Sequence, residues 1–387
     1  MSAREFLVAF NVNLNTTSTR RANAIAFDVR ERGRVKRKGD PLLGEPVLDE
    51  EGERVWVPGS LEGVKGIGWY IEEYGIAQIS LNLTDIGVTP VHVAFDEVCR
   101  KADARGVRVT GSELVGLIPL EAMLDAGRYF LRKQQRSTGV SDRELIRLAV
   151  KSMGLDELTP FKPEEKIVEY ALADPARKRL VDLSLQGFVE ETASESVAPG
   201  GGSVAAAVGA LGAALAAMVA NLSSHKRGWD ERWEEFSAWA EQGKAAYAEL
   251  TALVDRDTDA FNAIMAAFRL PQGTDGEKEA RHGAIQAATR EAIEVPLRVM
   301  EVAASSMEVI RAMVETGNPS SVTDAAVGAL CARSAVIGAF LNVKVNAADL
   351  EDKAAVQAYF ARGGELEAQA LEQERQILAL AQTKLDR

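Results

Sequence analysis

Two patterns of hydrophobic and polar positions divide the chain. In the first half, short apolar runs alternate with amphipathic stretches. Residues 6–14 (FLVAFNVNL) read as a strand, 18–31 as a helix, 66–71 and 77–83 as strands, 91–104 as a helix and 107–111 as a strand. This β-α-β-β-α-β order predicts a split βαβ sheet with helices on one face, a ferredoxin-like α/β sandwich. Residues 33–63 are rich in Gly, Pro and charge, show no helical period, and read as an exposed loop. Helices over 119–131 and 141–153 complete this half, and 162–173 begins the transition.

From about residue 180 the strand signal vanishes and Ala-rich helical periodicity takes over. Helices are predicted over 184–196, 203–223, 232–270, 277–315, 322–345 and 352–385. Pro271 with Gly273, and the turn Gly317-Asn318-Pro319, mark two boundaries, while Pro296 predicts a kink inside a helix. The predicted fold class is therefore α+β, with a ferredoxin-like domain over 1–178 and an all-α helical bundle over 179–387.

The bulk properties narrow the function class. The chain has 387 residues, 47% hydrophobic, with a formal net charge of -12. An acidic pI near 5.0 argues against a nucleic-acid surface. The two cysteines, Cys99 and Cys331, lie far apart and indicate neither a disulfide framework nor a zinc site. His92, His225 and His282 have no metal-ligand spacing, so no metal is expected. Residues 1–5 lack a basic-then-apolar leader, which points to the cytoplasm. The apolar run 204–222 reaches the length of a membrane span but is rich in Ala and Gly, and no second stretch resembles it. It reads as a buried bundle helix, with no membrane partner.

Candidate chemistry concentrates in the bundle. Gly200-Gly201-Gly202-Ser203 opens directly into an Ala/Gly helix. Placed there, the glycines let backbone N–H groups gather round an anionic or polar ligand at the positive helix end, or serve as a connector or a tight packing face. Leu250, Val254, Phe261, Ile264 and Phe268 step along one helix face, and Asp257 falls between them, whereas Asp255 and Asp259 point to water. A carboxylate on such a seam acts as a general acid–base group with a raised pKa, or caps a helix or pairs with an arginine. Asp324 continues a seam of Val327, Cys331, Ser334, Gly338 and Leu341, but its place in a first helical turn equally suits the helix dipole. Asn342 and Asn346 share a face and suit either a heterocycle or a helix backbone. Lys226-Arg227 reads as a solvated helix end or a site for a polyanionic tail.

These motifs resemble the bifunctional formimidoyltransferase-cyclodeaminase family. The run Ser196-Val197-Ala198-Pro199-Gly200-Gly201-Gly202-Ser203-Val204-Ala205 is similar to the start of its cyclodeaminase domain, as is Leu253-Val254-Asp255-Arg256-Asp257-Thr258-Asp259-Ala260-Phe261. The strand 6–14, Gly66-Ile67-Gly68-Trp69-Tyr70 and the run 111–120 resemble the C-terminal subdomain of its transferase. The loop over 40–61 is longer than the family's usual one.

The resemblance implies a formimidoyltetrahydrofolate cyclodeaminase, an ammonia-lyase of histidine degradation that forms 5,10-methenyltetrahydrofolate. Asp257 is then the proton donor and acceptor, and Gly200, Gly201, Gly202, Ser203, Asp324 and Asn342 bind substrate. It implies no cofactor beyond the folate substrate, with or without a polyglutamate tail, and a homo-oligomer. The family's N-terminal transferase subdomain, with its catalytic histidine, has no counterpart here, and none of the three histidines maps onto it. That leaves a separate partner chain, a misplaced start, or a half turned to assembly. The alternatives are a non-catalytic folate-binding subunit completing a transferase in trans, and a methenyltetrahydrofolate cyclohydrolase.

Overall fold

The computed structural model describes residues 6–39, 44–174 and 179–386. Residues 1–5, the start of the 40–61 loop and the boundary at 178/179 lie outside the described residues. The architecture is α+β, a small antiparallel sheet with helices and a large helical region, in two compact units. The first comprises residues 1–134 and 141–174, the second residues 135–140 and 175–387.

In the first unit the elements run β1 (Val8–Leu14), α1 (Thr19–Val29), β2 (Arg34–Val35), β3 (Trp56–Val57), β4 (Val64–Ile71), β5 (Ile76–Leu83), α2 (Val91–Asp103) and β6 (Val109–Val115). Helices α3 (Leu120–Lys133) and α4 (Asp142–Met153) follow, then the single turns α5 (Pro163–Lys166) and α6 (Val168–Ala171). The sheet order is β4-β5-β1-β6, with every neighbouring pair antiparallel. On β1, alternation sends Phe10, Val12 and Leu14 into the core, while Asn11 and Asn13 occupy the other face. Asn13 Nδ2 donates to Glu157 (2.6 Å) and its Oδ1 accepts from Gln78 (2.8 Å), which satisfies these buried amides. Helix α1 packs on β4 where Gly68 leaves room. A Cβ there would lie 2.3 Å from the Asn23 backbone nitrogen.

Two expectations need correction. The last strand runs Val109–Val115 rather than 107–111. Pairing with β1 carries it past Gly111 to Val115, and the missing Cβ of Gly111 makes room for the Glu157 carboxylate, 2.4 Å from where that atom would stand. The supposed loop over 33–63 also contains the two-stranded β2-β3 ribbon, extended by the bridges Arg37↔Pro46 and Leu48↔Arg54, too short to leave a periodic signal.

The second unit contains α7 (Leu185–Thr192), α8 (Gly201–Ser224), α9 (Trp233–Phe268), α10 (Asp275–Thr316), α11 (Val322–Asn346) and α12 (Lys353–Leu385). Helix α8 packs against α9, α10 and α11, and α12 packs against α10 and α11. Small residues set the spacing. A Cβ on Gly212 would lie 2.8 Å from the Gly328 carbonyl oxygen, so α8 and α11 meet backbone to backbone. Helix α10 starts at a capping box, Thr274 with Glu277, and continues as one helix through buried Pro296.

Three bundle expectations also change. Gly201 and Gly202 belong to the first turn of α8 rather than to a loop, with Gly200 as N-cap. A second helix passes the length and hydropathy test for a membrane span. Residues Pro319–Asp349 reach a mean hydropathy of 1.6, beside 2.0 for Gly201–Ser224. Asp324, Arg333 and Lys344 interrupt its apolar run in the sequence. The seam assigned to Asp324 is the wrong side of α11: Val327 and Leu341 are exposed, and the buried line is Ala325, Ala329, Ala332, Val336 and Ala339.

Candidate functional site

Helix α8 begins against the middle of α9, and the two elements build one constellation there. Ser203 is fully buried, and its Oγ donates to Asp257 Oδ2 at 2.8 Å. The Ser203 backbone N–H donates to the same carboxylate. One of the unpaired N–H groups at the α8 N-terminus is thus met by Asp257 from α9. None of Gly200, Gly201 and Gly202 takes left-handed backbone. What Gly202 supplies is the absence of a side chain, since a Cβ would stand 2.1 Å from Asp257 Oδ1.

Burial pushes the Asp257 carboxyl above the ordinary aspartate range, and the two Ser203 hydrogen bonds pull the other way. Around the carboxylate lies a cavity of about 100 Å³, lined among others by Val197, Gly201, Thr258, Phe261, Asn342 and Asn346. Asn342 Nδ2 donates to Gly338 O (2.9 Å) and Asn346 Nδ2 to Ala292 O (2.7 Å). Both amide nitrogens therefore serve helix backbone while their side chains wall the pocket. Two larger grooves, about 520 and 560 Å³, run along α9 and α10. They are lined by ion pairs such as Arg298–Glu249, and Asp257 is in neither.

The structure thus gathers Gly200, Gly201, Gly202, Ser203, Asp257 and Asn342 of the sequence-derived set. It does not bring in Asp324, which sits in the first turn of α11. Asn342 is eighteen residues further on, about 27 Å at 1.5 Å per residue. Asp255 is not simply solvated, because it accepts the Leu180 backbone N–H at 2.6 Å. Phe261 and Ile264 line the pocket, and Ile264 also packs against the core. Sequence reasoning passed over Thr258, whose Oγ1 lies 3.4 Å from Ser203 Oγ. Its place beside Asp257 was the available signal. Ala292 gave none.

The remaining polar candidates stand elsewhere. Lys226 Nζ lies over the Trp229 ring. His92, in the first unit, is buried with its ring tilted against Tyr129, and desolvation holds its pKa below the usual range. Among the described residues, no three His, Cys, Asp or Glu side chains gather as a metal-holding group. What the site offers chemically is a single half-buried carboxylate, oriented by a serine and open to a small pocket.

Comparison with known proteins places both units. Residues 184–362 match the family described as formiminotransferase-cyclodeaminase, and residues 9–173 match the formiminotransferase domain. The formimidoyltransferase-cyclodeaminase of Mus musculus is 39% identical over 351 residues, which is 90% of this chain and 61% of that protein. The chain thus spans about three fifths of the length of such relatives. A methenyltetrahydrofolate cyclohydrolase of Methylorubrum extorquens is 35% identical over 171 residues, 44% of this chain and 82% of that protein. A crystal structure of formiminotetrahydrofolate cyclodeaminase from Thermotoga maritima is 27% identical, covers 53% of this chain and 98% of its own, and has a TM-score of 0.47.

Proposed function

We propose, supported by the two family matches and the Mus musculus relative, that the chain is of the formiminotransferase-cyclodeaminase family and that its helical unit converts 5-formimidoyltetrahydrofolate to 5,10-methenyltetrahydrofolate and ammonia. The observation that carries this reading is Asp257, a half-buried carboxylate fixed by Ser203 at the mouth of a pocket. The folate N10 attacks the carbon of the formimino group, which is protonated on its nitrogen, and the N10–C bond forms. Asp257 takes the N10 proton and returns a proton to the former formimino nitrogen. The bond between the carbon and that nitrogen then breaks, ammonia leaves, and the cationic methenyl bridge remains. One carboxylate serves as base and then acid, which its raised pKa favours. Gly201, Gly202 and Asn342 wall the place for the folate, which is the substrate, and the chemistry calls for no further cofactor.

The first unit is proposed to be the C-terminal subdomain of a glutamate formimidoyltransferase, of ferredoxin-like build. The β1-α1-β4-β5-α2-β6 order and the sheet order β4-β5-β1-β6 support that reading. A second reading for the bundle, methenyltetrahydrofolate cyclohydrolase, is favoured by the Methylorubrum extorquens relative.

The test is turnover of 5-formimidoyltetrahydrofolate by the purified chain, followed by methenyl absorbance, with Asp257→Asn alongside. The expected result is turnover by the wild type and a loss on the order of 100-fold or more in the variant. Binding without turnover overturns the cyclodeaminase and leaves an assembly subunit. Hydrolysis of the methenyl product as the sole activity installs the cyclohydrolase.

A further inference from the structure

Pro296 deprives one carbonyl of α10 of its helix partner. A backbone N–H at position 296 would bond the oxygen of Ala292, but proline has none, and its ring crowds that oxygen. Ala292 is buried, so water is a poor substitute there. Asn346, at the end of α11, supplies the missing donor: its Nδ2 donates to the Ala292 oxygen at 2.7 Å.

That bond decides which way the Asn346 amide faces. Its nitrogen must lie toward the Ala292 oxygen, so its own oxygen lies on the other side. Asn342, one turn earlier, is set in the same way by the Gly338 oxygen at 2.9 Å. Both asparagines line the Asp257 pocket, as does Ala292. Among the described residues, neither amide oxygen accepts a hydrogen bond from the chain. Nor is either sealed from solvent, since the sealed and unpartnered side-chain atoms belong to His92, Asn221 and Gln373. The two oxygens are therefore left for the pocket, on residues about 6 Å apart along α11. With the Asp257 carboxylate they form a wall of acceptors, and such a wall selects a ligand edge that carries N–H donors.

We propose that Asn346, held by the carbonyl that Pro296 frees, is a specificity-determining acceptor of this pocket and takes a hydrogen bond from the 2-amino group of a pterin ring. Pro296 is then a positioning residue, acting through Ala292 and Asn346. The inference rests on the proposed folate reading and adds the direction in which the substrate lies. Of the parts of a folate, the pterin carries adjacent N–H donors on one edge, whereas the glutamate end carries carboxylates that a wall of acceptors disfavours. The pterin edge therefore meets α11, with the Asn342 oxygen left for a second ring N–H, and the glutamate end points out of the pocket. The same arrangement accounts for a proline in the buried middle of a long helix, where it weakens the backbone ladder.

Calorimetric titration of the intact chain with 5-formyltetrahydrofolate tests the contact without reference to turnover. Asn346→Leu should weaken binding on the order of 10-fold. The 2-desamino analogue of the same ligand should lose about as much with the native chain and almost nothing further with Asn346→Leu, because either change removes the same hydrogen bond. Pro296→Ala leaves every polar side chain in place but returns an N–H to the Ala292 oxygen, which releases Asn346. It should leave Tm no lower than that of the native chain, yet weaken binding on the order of 10-fold. In the Asn346→Leu background it should add nothing. A stable protein with poorer binding is the opposite of general damage to the fold, so this variant decides the matter should Asn346→Leu unfold. Native affinity in a folded Asn346→Leu or in Pro296→Ala overturns the proposal. So does a 2-desamino analogue that loses as much with Asn346→Leu as with the native chain. A native chain that binds 5-formyltetrahydrofolate not at all overturns the folate reading itself, and this inference with it.

Discussion

Among the described residues, both units seal large side chains from solvent, Phe10, Leu14, Ile79 and Met123 in the first and Phe236, Leu250, Ile293, Met300 and Met307 in the second. The bundle core adds a run of alanines at its helix contacts, Ala206, Ala213, Ala216, Ala325, Ala329 and Ala332, each fully buried. Large side chains fill the gaps between sheet and helices, whereas helices meeting at Gly212 and Gly328 leave almost none. Both units are therefore exposed to deletion of volume, and the helix contacts of the second to its addition as well. The site follows the second rule, because Asp257 reaches the α8 terminus only through the space Gly202 leaves.

The largest expected effect is on the first unit. Phe10→Ala should cost about 3–5 kcal/mol of its stability, read by hydrogen exchange resolved along the chain, with α8 and α9 protected as before. Loss of protection in both units together would dissolve the distinction. Next comes Gly202→Ala, which should lower turnover on the order of 100-fold by displacing the carboxylate. Gly201→Ala should change it only a few-fold, because the nearest group is the movable end of Asn342, 3.2 Å away. Equal losses would show that the carboxylate tolerates displacement.

Gly212→Ala in the bundle should cost about 1–3 kcal/mol in urea unfolding. Gly68→Ala in the first unit should cost as much. There α1 crosses β4 at a distance that leaves no Cβ, and the first unit adopts the small-residue device of the second. A cheap Gly68→Ala would make the division complete.

The smallest effect is pH-linked. Burial raises the folded pKa of Asp257 above its unfolded value, so the ionised carboxylate disfavours folding once pH exceeds that folded value. Asp257→Asn should therefore raise Tm by about 2 °C at neutral pH, and the gain should shrink as pH falls toward the unfolded pKa. In the wild type, turnover should rise with pH at a higher value than an ordinary aspartate gives.

Much of this was legible in the chain. Strand alternation and Ala-rich periodicity located nearly every element, and Asp257 announced itself as a carboxylate among apolar steps. The errors share one cause. In a helix such as α11, where alanine, glycine and valine occupy every side, hydrophobicity cannot say which side is buried, so Asp324 was given a seam that solvent reaches. The same composition hid the true role of Gly202. A glycine run signals bending freedom, but here the backbone is ordinary helix and the gain is room for a neighbour's oxygen.

Residues 135–140 carry a consequence for taking the molecule apart. They belong to the second unit although α3 and α4 on either side belong to the first. Within the second unit the Thr138 N–H donates to Ser237 Oγ, Asn221 donates to the Gly139 carbonyl, and Gly139 lies against Ala240. No single cut of the gene separates the units cleanly. A fragment starting near residue 179 would leave Asn221 and Ser237 without these partners and open a slot beside Ala240. A synthetic peptide of this short sequence would be its natural plug.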